Sequence, residues 1–162
     1  MKKTILLLCL AVGAKAQVKT LPFDKKVPVM IDAEDSWVQN TIDELALEMM
    51  TKFNKNGIIV YNTYQMYRHD KLADLKADHL IAKETGFILG VKMVRGAYME
   101  KERKRAAEMG YPSPIQPDKA STDKDYDESL RFCVRHIDQI AIVCGTHNEE
   151  SSRLLTYLID EK

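Results

Sequence analysis

Four short apolar runs end in residues that could carry chemistry. Asp32 closes VPVMID and is followed by Glu34. Asn62 and Thr63 follow IIVY, Arg95-Gly96-Ala97-Tyr98 follows FILGVKMV, and Thr146-His147 follows IAIVCG. If each run is a strand, all four clusters stand at carboxyl ends, where parallel α/β folds hold their ligands. One cation lies inside a run. Alternation gives Phe87, Leu89, Val91 and Met93 one face, suited to packing on helices. Ile88, Gly90, Lys92 and Val94 share the other, which points Lys92 toward the interior. An unpaired charge there would be costly, so Lys92 needs a partner. Asp32, on the face of Met30, is the obvious one; an anionic or electron-rich ligand is the other. Parity groups Asn62 with Ile58 and Val60.

Each residue also has a plainer use. Asp32 can cap the next helix, Asn62 can satisfy loop backbone, Lys92 can form a structural ion pair, and His147 can be a loop residue. A metal site of Asp32, Glu34 and His147 has no HxH or HExxH spacing behind it. The run Glu100 to Arg105 reads as a solvated helix face with a Glu100–Lys104 pair.

The elements that must position these groups alternate strand and helix. Strands are expected over Val27–Asp32, Ile58–Tyr61, Phe87–Val94 and Ile140–Cys144. The first helix opens on Ser36-x-x-Gln39, a capping-box spacing, and carries Val38, Ile42, Leu45, Met49 and Phe53 up to a stop at Asn54–Gly57. A second spans Lys71–Thr85, with Ala73, Ala77, Leu80 and Ile81 on one side and Gly86 as its stop. A third runs from Ala97 to Gly110; Pro112, Pro114 and Pro117 then mark an irregular connection. Tyr126, Leu130, Cys133 and Ile137 make a further stripe, and Asn148 caps a last helix bearing Leu154, Leu155 and Leu158. Four strands each followed by helix imply parallel βαβ units, in part of a (β/α)8 barrel or a small doubly wound sheet. No glycine-rich phosphate loop opens the first helix, which weakens the nucleotide-binding version of the second.

The chain has 162 residues, 24 basic and 24 acidic. That balance supplies no cationic excess for nucleic acid. Three separated cysteines (Cys9, Cys133 and Cys144) make no disulfide scaffold. Residues 1–16 stand apart: a basic start, an apolar run through Leu6-Leu7-Leu8, then Ala14-Lys15-Ala16, the pattern of a secretory signal. Residues 17–26 read as a linker and 27–162 as the domain. Cleavage after Ala16 would remove Lys2, Lys3 and Lys15, leaving the remainder mildly acidic.

The segments VMIDAED (29–35), VYNTYQ (60–65), VKMVRGAYMEKERKRAAEMGYPSPIQP (91–117) and GTHNEES (145–151) resemble the proline dehydrogenase family, in family order. The resemblance implies an α/β fold, an incomplete (β/α)8 TIM barrel of about four βα units. It implies FAD-dependent oxidation of L-proline to 1-pyrroline-5-carboxylate by hydride transfer to flavin N5, with electrons passed to a quinone or other acceptor. Asp32 matches the family's active-site aspartate, and Ala33 beside it a flavin contact. Asn62 matches the residue at the isoalloxazine edge, and Lys92 the basic residue near N5, where a cation favours charge arriving with the hydride. Arg95, Gly96 and Ala97 match the flavin-binding turn, and Thr146 and His147 a further FAD-contacting pair. No residue matches the family's paired arginines that clamp the substrate carboxylate. The expectation is therefore a barrel portion, completed by its other half or by a second copy. The family places the enzyme in the cytoplasm or at the inner membrane. Residues 1–16 suggest the contrary reading, an exported, noncatalytic half barrel.

Overall fold

The computed structural model describes residues 27–162; the leader-like segment and the linker lie outside them. Four strands alternate with five helices. In chain order they are β1 (Val29–Ile31), α1 (Ser36–Phe53), β2 (Val60–Gln65), α2 (Lys71–Thr85), β3 (Leu89–Val94), α3 (Met99–Met109), α4 (Lys119–Arg135), β4 (Ile140–Cys144) and α5 (Glu149–Asp160). All strand pairs are parallel, and the sheet order is β1-β2-β3-β4. A doubly wound sheet reverses its order at a switch point. This sheet does not, so it is an arc of a barrel.

The core fills the space between one face of the sheet and the helices. Leu89, Val91 and Met93 of β3 are fully buried, with Tyr126, Leu130 and Cys133 of α4 against them. The β3 parity is as the alternation predicts. Gly86 ends α2 in the left-handed region at φ 77°, and the Asn148 side chain accepts from Glu150 N and Ser151 N to cap α5. Ile137, the last residue of the expected α4 stripe, falls beyond the helix and is exposed.

Two helices sit rotated from their apolar stripes. In α1 the buried residues are Gln39, Ala46 and Met50, while Val38 and Leu45 are exposed. Gln39 is drawn inward by two hydrogen bonds: its Oε1 accepts from Glu34 N at 2.7 Å, and its Nε2 donates to Asp43 at 2.8 Å. In α2 the buried set is Lys71, Leu75, His79 and Ala82, and Leu80 and Ile81 face outward. Here too polar partners decide. Lys71 reaches Asp43 and Asp74, and His79 Nε2 meets Gln139 Oε1 at 2.9 Å.

The capping box does not form at Ser36. Asp35 is the N-cap, and Ser36 donates from N (2.6 Å) and Oγ (2.7 Å) to the Glu102 carboxylate of α3. Glu102 is fully buried, so the charged run is not wholly a solvated face. Lys104 pairs with Glu108 at 3.8 Å rather than with Glu100.

Below the sheet, Asn54 does more than stop a helix. Its Nδ2 donates to Val60 O and Ile88 O, and its Oδ1 accepts from Ile59 N and Val60 N, all within 2.8–3.0 Å. It joins the end of α1 to the starts of β2 and β3. Gly90 is needed nearby for space: a Cβ there would lie 2.1 Å from Val60 O.

Candidate active site

The carboxyl end of β1 brings Asp32 beside Lys92. The Lys92 ammonium donates to Asp32 Oδ1, with side-chain exposures of 24% and 43%. Register explains the meeting. Thr63 lies opposite Lys92 on one side and Val143 on the other. These residues, with Met30, share the face away from the helices. That face sets apolar Met30, Val94 and Val143 beside Thr63 and Gln65 around an open ion pair.

The loop carrying Asp32 is fastened to the β3–α3 turn by contacts in step. Tyr98 Oη donates to Glu34 Oε2 at 3.1 Å, Lys101 to Asp35 at 2.6 Å, and Ser36 to Glu102 as above. Gln65 braces the same junction, its Nε2 on Glu34 O at 2.9 Å and its Oε1 accepting from Ala97 N at 3.3 Å. Burial, then the Glu34 carboxylate, pushes the Tyr98 hydroxyl pKa up, so it stays a donor. Sequence reading placed Tyr98 at a strand end without a role and missed Gln65 as a site residue. Both stand in the quoted motifs, but spacing alone gives no reach for their side chains.

Gly96 has φ 138°, and a Cβ on it would sit 2.5 Å from the Tyr67 ring. The close approach that needs glycine is thus to a tyrosine of this chain. Burial first, opposed by a backbone contact from Tyr98, leaves the Tyr67 hydroxyl raised to about 12.

Arg95 crosses to the neighbouring unit. Its Nε donates to Asp123 (2.6 Å), Nη1 to Thr146 Oγ1 (2.7 Å) and Nη2 to Ser151 Oγ (3.0 Å), while its Cζ lies 4.3 Å from the Tyr126 ring centroid. Three of its N–H groups are thereby used inside the protein. Thr146 sits next to Asn148 N as well, and His147 is exposed with its ring bonded to nothing among the described residues.

Comparison with known proteins gives the arrangement its lineage. The family model described as "Proline dehydrogenase" matches residues 14–162. The chain belongs to the proline dehydrogenase family. It is 39% identical over 140 residues to mitochondrial proline dehydrogenase 1 of Drosophila melanogaster, covering 80% of this chain and 21% of that protein. It is 37% identical to hydroxyproline dehydrogenase of Xenopus laevis, covering 78% and 28%. The crystal structure of proline utilization A from Bdellovibrio bacteriovorus, inactivated by N-propargylglycine, superposes with a TM-score of 0.82 at 26% identity, covering 87% of this chain and 15% of that one. The chain thus spans about a fifth of the length of such curated proline dehydrogenases. The match begins at residue 14, inside the segment read as a leader.

Among the expected cofactor-binding residues, Asn62 does not share the face of Lys92. β2 runs on to Gln65, so Asn62 and Thr63 lie within the strand and do not follow it. Asn62 pairs with Val91 on the helix side, is buried, and donates from Nδ2 to Asp43 Oδ1 at 2.8 Å. Its Oδ1 is buried without a partner. The face of Lys92 instead receives Thr63 and Gln65. The parity was readable from the sequence. The side facing the helices was not, because both faces of VYNTYQ mix polar and apolar groups.

Proposed function

We propose that this chain provides part of a flavoenzyme site that oxidises proline or a closely similar cyclic amino acid. The observation that carries the reading is the Lys92–Asp32 pair, open at the strand ends of a proline dehydrogenase family arc. Bound FAD would supply the hydride acceptor, producing 1-pyrroline-5-carboxylate from L-proline. The chemistry of the face fits that group: a cation for its electron-rich edge, and apolar Met30, Val94 and Val143 around it. Ala33 and Ala97 leave room beside the pair. Lys92 supplies fixed positive charge, and Asp32 holds the ammonium in place. Tyr98, kept protonated, holds Glu34 at the rim of the site. Thr146 and His147 extend the cofactor surface toward α5, with Arg95 anchoring Thr146 more than contacting a ligand. A quinone-type acceptor at an inner membrane is the partner that the family resemblance implies, and the relatives include proteins named as mitochondrial. Among the described residues no helix is long and apolar enough to cross a membrane.

The test is an FAD titration of the full chain, followed by flavin fluorescence. Saturable quenching that Lys92→Ala weakens is expected, with little or no bleaching of the flavin absorbance by L-proline, since no residue of this chain matches the carboxylate clamp. FAD that stays free in solution at all protein concentrations would sink the reading.

A further inference from the structure

A groove of about 500 Å³ opens among the start of α1, the loop after β2, α3 and the segment after α3. None of Asp32, Lys92 or Thr146 lines it. Its walls combine Trp37 and Tyr111 with Arg68, His69 and Arg105, and no carboxylate residue lines it. In a chain with equal numbers of acids and bases, that is a local excess of positive charge.

The cations are not equally spent. Arg68 is held by Asp70, with Nε on Oδ1 at 3.0 Å and Nη2 on Oδ2 at 2.5 Å. Its Nη1 remains buried without an acceptor, on a side chain only 6% exposed. Buried donors in folded proteins are nearly always satisfied, so an orphan here asks for a group from outside. Arg105 has no ion pair among the described residues; its guanidinium stacks 4.3 Å from the centroid of Trp37. Its donors are free to grip an anion. Acids on the same segments have partners of their own: Asp70 has Arg68, Asp35 has Lys101, Glu102 has Ser36 and Glu108 has Lys104. The volume is within the range of small-molecule sites and exceeds what a bare oxyanion needs.

We infer that this groove binds a phosphorylated compound with a flat ring, of mononucleotide size. Its phosphate meets Arg105, His69 and the Arg68 edge, and its ring lies against Tyr111, since the Trp37 ring already carries Arg105. This is a second site, independent of the strand-end face.

Trp37 is the only tryptophan in the chain, so its fluorescence reports on this groove alone. The full chain is titrated with uridine 5′-monophosphate, which is no part of FAD, with inorganic phosphate as the comparison. Saturable quenching is expected, weakened about tenfold or more by Arg105→Gln, the loss of one charged hydrogen-bonding group. Tyr111→Ser should weaken the nucleotide but not phosphate, and Lys92→Ala should change neither. Far-UV circular dichroism checks that each variant is folded, and His69→Gln serves as the second anion-side variant. The inference is overturned by an absence of saturable quenching. It is also overturned if phosphate binds as tightly as the nucleotide, or if folded Arg105→Gln and His69→Gln bind like the parent.

Discussion

The two ends of the sheet treat their polar groups in opposite ways. At the amino ends Asn54 is fully buried and satisfies four backbone groups at or just before the starts of two strands. Gly90 lets β2 and β3 close up beside it, and His79 and Gln139 pair across α2 and the start of β4. At the carboxyl ends Lys92 and Asp32 keep a quarter to nearly half of their side-chain surface open, and His147 is free. The lower end uses its polar groups to fix backbone. The upper end fastens its loops through Glu102 and Gln65 and leaves a charged pair on show. Barrels of this kind carry stability below and chemistry above.

Asn54→Ala should break that contrast most severely. It strands two N–H groups and two carbonyls where water cannot reach, each costing about 1–3 kcal/mol when unmet. A loss of about 4 kcal/mol in denaturant unfolding is expected, with much of the folded population gone if the parent is marginal. A loss under about 1 kcal/mol would mean water replaces the side chain. Gly90→Ala acts at the same end by crowding. Its methyl would have to move the Val60 carbonyl aside, at about 3 kcal/mol, read from the same unfolding curves. A neutral result would show that β2 and β3 separate easily there.

What the sequence made legible follows the same division. Elements whose signals are local were readable: Gly86 closes α2, Asn148 caps α5, and β4 spans its expected residues. The meeting of Lys92 with Asp32 was also readable, because β3 alternates cleanly. Contacts between distant segments were not. The acid that caps α1 comes from Glu102, 66 residues away from Ser36, so the local Ser36-x-x-Gln39 spacing misled. The burial of Gln39, Lys71 and His79 turned two helices off their apolar stripes for the same reason. Asn62 shows the limit for a strand: parity tells which residues share a face, but partners from α1 tell which face is inside.

At the upper end, Lys92→Ala should cost little stability. An ion pair this exposed contributes about 1 kcal/mol or less. Flavin affinity should fall instead, by about tenfold if one charged contact is lost. Matched unfolding and FAD titrations would separate the two effects. A large stability loss with unchanged flavin binding would move Lys92 to the structural side of the comparison.

The smallest effect concerns a weak point at the lower end. His136 packs with its ring centroid 4.4 Å from His79 and 4.8 Å from Phe132. Burial first, then the neighbouring His79, holds its pKa below the ordinary 6.5, while Asp138 pulls modestly the other way. A depressed value means the unfolded chain takes up the proton first as pH falls. The histidine's contribution is therefore complete above its unfolded pKa and is lost as pH drops from about 6.5 through the folded value. Unfolding midpoints of the parent and His136→Gln, taken from about pH 7.5 down to about pH 5, should converge toward acid. Parallel curves would show that His136 is solvated in the folded chain. The amino end would then be as insensitive to protons as its hydrogen-bonded backbone suggests.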